Sequence, residues 1–100
     1  MTKLGLVVRL KAKPGKEQAV ADFLKNALPA ARAEQFTPVW FAFAAPHGVF
    51  YIVDAFHDEG GREQHLAGQI AAGLMQHAPE LLDEHPHIEK VDVLAEKIHH

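Results

Sequence analysis

Residues 36 to 57 read FTPVWFAFAAPHGVFYIVDAFH. Two runs rich in β-branched and aromatic residues flank Ala45-Pro46-His47-Gly48, a Pro/Gly turn signal, and this pattern predicts a β-hairpin. With Pro46-His47-Gly48 as the loop, Trp40 faces Asp54, Phe41 faces Val53, Phe43 faces Tyr51 and Val39 faces Ala55. One face of the hairpin then carries Pro38, Trp40, Ala42, Phe50, Ile52, Asp54 and Phe56. The other carries Val39, Phe41, Phe43, Val49, Tyr51, Val53 and Ala55. Neither face is polar. An antiparallel pair with one wet side alternates apolar and polar residues, so this hairpin is built to be covered twice. The helices of a small domain can cover one side, and a second copy of the chain is the simplest cover for the other.

The flanking segments complete the order. Leu4, Leu6, Val8, Leu10 and Ala12 alternate with Lys3, Gly5, Val7, Arg9, Lys11 and Lys13, which predicts a strand with one buried face. Pro14-Gly15 ends it. Val20, Phe23, Leu24 and Ala27 then fall at helical spacing, and Pro29 should end that helix near Leu28, with a short second piece over Ala30 to Glu34. After the hairpin, Asp58 is the expected N-cap of a helix whose apolar stripe is Leu66, Ile70 and Leu74. Gly68 and Gly73 weaken that helix, and Pro79 predicts a break or a fresh start. Ile88 to Ile98 alternates again as a last strand. The order β-α-β-β-α-β predicts an α+β, ferredoxin-like domain, an antiparallel sheet with its helices on one face. Two such sheets packed face to face would make a two-fold dimer with a barrel-like interior.

Bulk properties narrow the function. The 100 residues are 48% apolar and 23% charged, the range of one globular domain spanning 1–100. A formal charge of −3 and scattered Lys and Arg give no field for a phosphate backbone, so no nucleic-acid partner is expected. No run approaches the roughly 18 apolar residues that span a bilayer, so no membrane partner is expected. Met1-Thr2-Lys3-Leu4 leads straight into a strand pattern, which predicts no signal peptide and a cytoplasmic location. The absence of cysteine removes disulfides, thiolate nucleophiles and thiolate-bound metals. His99-His100 reads equally as native sequence or as the stub of a purification tag.

Three short signatures, in this order and spacing, resemble the antibiotic-biosynthesis monooxygenase family of dimeric α+β barrels, over about residues 4 to 97. The first strand runs into Lys13-Pro14-Gly15-Lys16. The first helical region ends in Arg32-Ala33-Glu34 just before the second strand. The third strand ends in Asp54, Phe56 and Asp58, followed by a helix bearing His65. The chain has Asp54 and Phe56 where that family usually has Glu and Trp, and Gln35-Phe36 where it has Pro-Gly. The resemblance implies a homodimer and oxygenation of a small aromatic or quinol substrate by O2 without metal or organic cofactor. Haem-degrading relatives resemble one another in an Asn on the first strand with Trp and His on or near the second helix; here the only Asn is Asn26, on the first helix, and the only Trp is Trp40, on a strand, so haem degradation ranks third among the readings.

Such chemistry requires an apolar pocket, a base with near-neutral pKa and a donor for the resulting oxyanion. Asp54 and His65 are the candidate catalytic residues. Asp54 lies mid-strand among Ile52 and Phe56 and opposite Trp40, where burial should raise its pKa, or where Arg9 or Arg62 could pair with it. His65 matches the family's helix-two histidine, and neutral imidazole is a natural base. It sits roughly 100° from Leu66 on a continuous helix, on the side away from the Leu66, Ile70 and Leu74 stripe. That position predicts either a helix packed on two sides or a surface role. Trp40, Phe56, Ile52 and His77 are the candidate substrate-binding residues, Trp40 through its indole N–H as well as its ring. His85-Pro86-His87 has two potential metal ligands but no third at strand or helix spacing, and a solvated turn is the simpler reading, so no metal site is expected. A dimer that binds small apolar ligands without chemistry is the competing reading, since an apolar cavity serves both.

Overall fold

The computed structural model of the chain describes residues 1 to 99; of the terminal His99-His100 pair, His100 lies outside the described residues. Strand β1 (Leu4–Lys11) is followed by helices α1 (Glu17–Asn26) and α2 (Leu28–Ala33). Strands β2 (Val39–Ala45) and β3 (Val49–Phe56), helices α3 (Glu59–Leu66) and α4 (Gln69–Leu81) and strand β4 (His87–Asp92) complete the order. The strands form one antiparallel sheet in the order β2-β3-β1-β4. This is the ferredoxin-like arrangement, with each helical region split in two.

The hairpin has the register its loop dictates: Trp40 opposite Asp54, Phe41 opposite Val53, Phe43 opposite Tyr51 and Val39 opposite Ala55. Pro46–Gly48 form a single 3-10 turn in which His47 and Gly48 take φ of 66° and 73°. Both values lie in the left-handed region, which reverses the chain within three residues. The two faces of the sheet then diverge. Val8, Leu10, Phe50 and Ile52 are buried against Val20 and Leu24 of α1 and Leu74 and Ala78 of α4. Leu6 and Phe56 are equally buried, and the Phe56 ring lies 5.4 Å from the imidazole of His65 on α3. On the outer face, Phe41 and Phe43 are 54% and 48% exposed, their rings stacked at 5.5 Å.

Three sequence expectations change. The helix after the hairpin is not continuous: α3 ends at Leu66 and α4 starts again at Gln69, with Gly68 as its N-cap. The stripe therefore belongs to α4 alone, as Ile70, Leu74 and Ala78, and gives no information about which way α3 faces. Conversely, Pro79 does not break α4, which continues through it to Leu81. The carbonyl of Pro79 accepts a 2.6 Å hydrogen bond from Lys13 Nζ, tying the last turn to the end of β1. The final strand is shorter than its alternation suggests, because β4 pairs only with β1 and β1 begins at Leu4, opposite Asp92.

Candidate functional site

Helix α3 delivers the central side chain. Asp58 caps it, its carboxylate accepting the Gly61 N–H at 2.8 Å, and the inward stripe is Gly61, Arg62 and His65. A side chain at Gly61 would place its Cβ 3.0 Å from the Phe36 carbonyl oxygen. The glycine thus lets α3 pack closely on the segment between α2 and β2, which carries Glu34 and Thr37. His65 is buried, not superficial. The wheel that turned it outward assumed a helix running through Gly68, and that helix does not exist.

The imidazole is held at both nitrogens. Nδ1 lies 2.6 Å from Glu34 Oε1, and the Thr37 hydroxyl donates to the same oxygen at 2.8 Å. Nε2 lies 3.0 Å from Asp54 Oδ2. This second contact is close enough for ion pairing but off the line of a directed hydrogen bond, so both Asp54 oxygens are buried without a well-aligned donor. Side-chain exposure rises along the row, from 1% for Asp54 to 7% for His65 and 10% for Glu34. Glu34 and Thr37 are the members that sequence reasoning missed as site residues. The available signal was Glu34 itself, at the end of Arg32-Ala33-Glu34, but a separation of 31 residues from its partner hid the pairing.

Burial pushes the Asp54 carboxyl above its ordinary value of 3.8, and the neighbouring His65 only partly offsets that push. Burial alone would lower His65, but its polar contacts to Asp54 and Glu34 and their charges outweigh it and hold the imidazole above its ordinary 6.5. One imidazole between two buried carboxylates therefore keeps its proton tightly, and the acid next to it is a stronger base than a solvated carboxylate.

Neither arginine serves Asp54. Arg9 pairs with Glu84 at 3.1 Å, and Arg62 with Glu59 at 2.9 Å while also reaching the Gly5 and Val91 carbonyls. Trp40 lies beside Asp54 across the ladder, its Nε1 buried with no acceptor among the described residues. Ile52 and Phe56 flank Asp54 along β3 on the same buried face. His77 is not part of this group. It is exposed on α4, its ring edge-on to Phe23 at 5.7 Å. His85 and His87 are exposed, and among the described residues no cluster of three or more His, Cys, Asp or Glu could hold a metal ion. No helix of the described residues is long and apolar enough to cross a membrane.

Beside Trp40 the inner face is open. A groove of about 340 Å³ runs between β2 and α1, walled by Ala21, Leu24, Trp40 and Phe50 and floored by Ala42 and Ala44. It exists because these two strand positions carry methyl groups opposite Ile52 and Phe50, and both alanines are exposed although they lie on the helix side of the sheet.

Comparison with solved structures gives a protein of unknown function from Nitrosomonas europaea that is 56% identical, covers 100% of this chain and 97% of its own, and superposes with a TM-score of 0.97. A candidate antibiotic biosynthesis monooxygenase from Caulobacter crescentus CB15 is 16% identical, over 94% of this chain and 92% of its own, at a TM-score of 0.81. An antibiotic biosynthesis monooxygenase at 15% identity covers 92% of this chain and 99% of its own, at 0.79. No protein-family model matches the chain, and neither does any curated protein.

Proposed function

We propose that this chain, which belongs to one family with the Nitrosomonas europaea protein and has the fold of the antibiotic biosynthesis monooxygenases, is a cofactor-independent oxygenase of a small aromatic or quinol-type substrate. The observation that carries this reading is the row Asp54, His65, Glu34: a buried, desolvated base backed by a second proton acceptor. An electron-rich CH2 or phenol group would lose its proton to the Asp54 carboxylate. His65, in its neutral form with the proton on Nδ1, would receive that proton at Nε2 and release the one on Nδ1 to Glu34, the most exposed of the three. The substrate anion would pass one electron to O2, and recombination of the two radicals would form a C–O bond as a hydroperoxide. For a CH2 group, loss of the remaining C–H proton then expels water and leaves a carbonyl, so one oxygen atom enters the product and the other leaves as water. The Trp40 N–H, buried and without an acceptor, is the candidate donor to the substrate oxygen.

The partner we propose is a second copy of the chain. Val39, Phe41, Phe43, Tyr51 and Val53 form an outer face with no charged residue, and a pair of stacked, half-exposed phenylalanines at its edge is the kind of patch that a monomer rarely leaves open. The competing reading, a dimer that binds apolar ligands without chemistry, draws on the groove beside Trp40 alone.

Oxygen uptake by chelator-treated protein over a panel of quinols, anthrones and polyphenols separates the two. Uptake that survives the chelator and falls about 100-fold or more in Asp54→Asn or His65→Gln is the expected result, on the scale of a lost general base. Equal uptake by wild type, both variants and buffer would favour the ligand binder.

A further inference from the structure

Lys25 is the one charged residue lining the groove. Ala21, Leu24 and Lys25 fall at helical spacing along one side of α1, with Leu28 at the start of α2, so Lys25 stands on the same stripe that walls the apolar cavity. It is in the last turn of α1 and forms no ion pair among the described residues. A lysine in this position can lay its methylenes along the apolar wall and hold its charge at the rim. The remaining lining is aromatic and aliphatic, with Trp40 and Phe50 beside the two alanines.

From this arrangement we infer that the groove selects an anionic aromatic ligand of one or two fused rings, its rings on Trp40 and the alanine floor and its carboxylate or phenolate on Lys25. The size follows from the volume. About 340 Å³ lies at the small end of ligand pockets, which run from about 300 to 1,000 Å³. The ring preference follows from the aromatic walls, whose flat faces favour offset stacking. The charge preference follows from a single unpaired cation at an otherwise neutral mouth. The inference rests on the proposal that the Trp40 N–H is the donor to the substrate oxygen, and it names the class of that substrate.

Binding tests it without any turnover. Trp40 is the only tryptophan in the chain, so its indole N–H signal in a ¹⁵N spectrum reports occupancy of the groove, while calorimetry gives affinity. The probes are 2-naphthoate and its neutral isostere 2-naphthamide, in oxygen-free buffer at low salt. The naphthoate is expected to bind about fivefold more tightly than the amide, the scale of one partly exposed ion pair. Lys25→Gln, or high salt, should erase that difference and leave amide binding unchanged. Ala42→Leu adds its methyls to the groove rather than to the core, and should weaken both probes by more than about tenfold. Equal affinity of wild type for the two probes, an unmoved indole signal, or a preference that survives Lys25→Gln and salt would each overturn the inference. Asp54→Asn is run alongside. Naphthoate binding retained in a protein without oxygen uptake would sink the oxygenase and leave the inference standing. Oxygen uptake with neutral quinols but no naphthoate preference would do the reverse.

Discussion

The two faces of the β2–β3 hairpin are almost equally apolar, and they end in opposite situations. On the inner face, Leu6, Leu10 and Phe56 are sealed beneath helices, and Asp54, His65 and Glu34 are gathered there into one row. On the outer face, Phe41 and Phe43 stand half in solvent with no charge among their neighbours on the hairpin. The difference teaches that apolar content marks where cover is needed, not what provides it. The chain covers the inner face itself and builds a polar site into it; the outer face it leaves for a partner.

Breaking the inner face should have the largest effect. Phe56→Ala removes a fully buried ring that also packs on His65, and a loss of about 3–5 kcal/mol in denaturant unfolding is expected. Phe43→Ala in monomeric protein should cost less than about 1 kcal/mol. Equal losses would erase the contrast between the faces.

The next effect falls on assembly. Phe41→Glu combined with Phe43→Glu should weaken self-association by about 100-fold or more, as expected for the loss of aromatic anchors from an interface, while leaving the circular dichroism spectrum unchanged. Sedimentation that shows only monomer for the wild type at micromolar concentration would remove the dimer and leave the outer face unexplained.

A smaller effect concerns pH. Asp54 and His65 are both raised in the folded state, so the folded protein binds protons more tightly than the unfolded chain, and stability falls as pH rises. The Asp54 contribution begins to fade above pH 3.8. The His65 contribution is complete below pH 6.5 and is lost as pH climbs through its higher folded value. Urea midpoints measured from pH 6 to 9 should decline for the wild type and flatten over that range in His65→Gln. A wild-type midpoint that climbs with pH over this range would contradict the His65 shift.

The hairpin register could be read from the sequence because a three-residue loop and a period of two leave a single pairing, and the buried strand of Leu6, Val8 and Leu10 follows from the same alternation. Asp54 was legible as a buried acid for the same reason. His65 was not legible as its partner, because a wheel carried across Gly68 assigns one face to what are two helices. The short stripe of Gly61, Arg62 and His65 is too brief to outweigh the longer one on α4. Arg62 lies one turn before His65 on that stripe, which made it a plausible partner for Asp54, yet its guanidinium turns to Glu59 and to carbonyls of β1 and β4. Glu34 and Thr37 come to the site only through the packing of α3 on the chain between α2 and β2, and no local spacing encodes that approach.

The inner face differs from the outer one by holding a proton between two buried acids, and the titration of His65 tests this most directly. ¹⁵N signals of the imidazole would be followed across pH in wild type, Asp54→Asn and Glu34→Gln. A wild-type midpoint above 6.5 that falls in each variant is the expected result. A midpoint at or below 6.5 in the wild type, unchanged when either acid is neutralised, would show that the two carboxylates do not act on the imidazole and would remove the proton relay from the proposed chemistry.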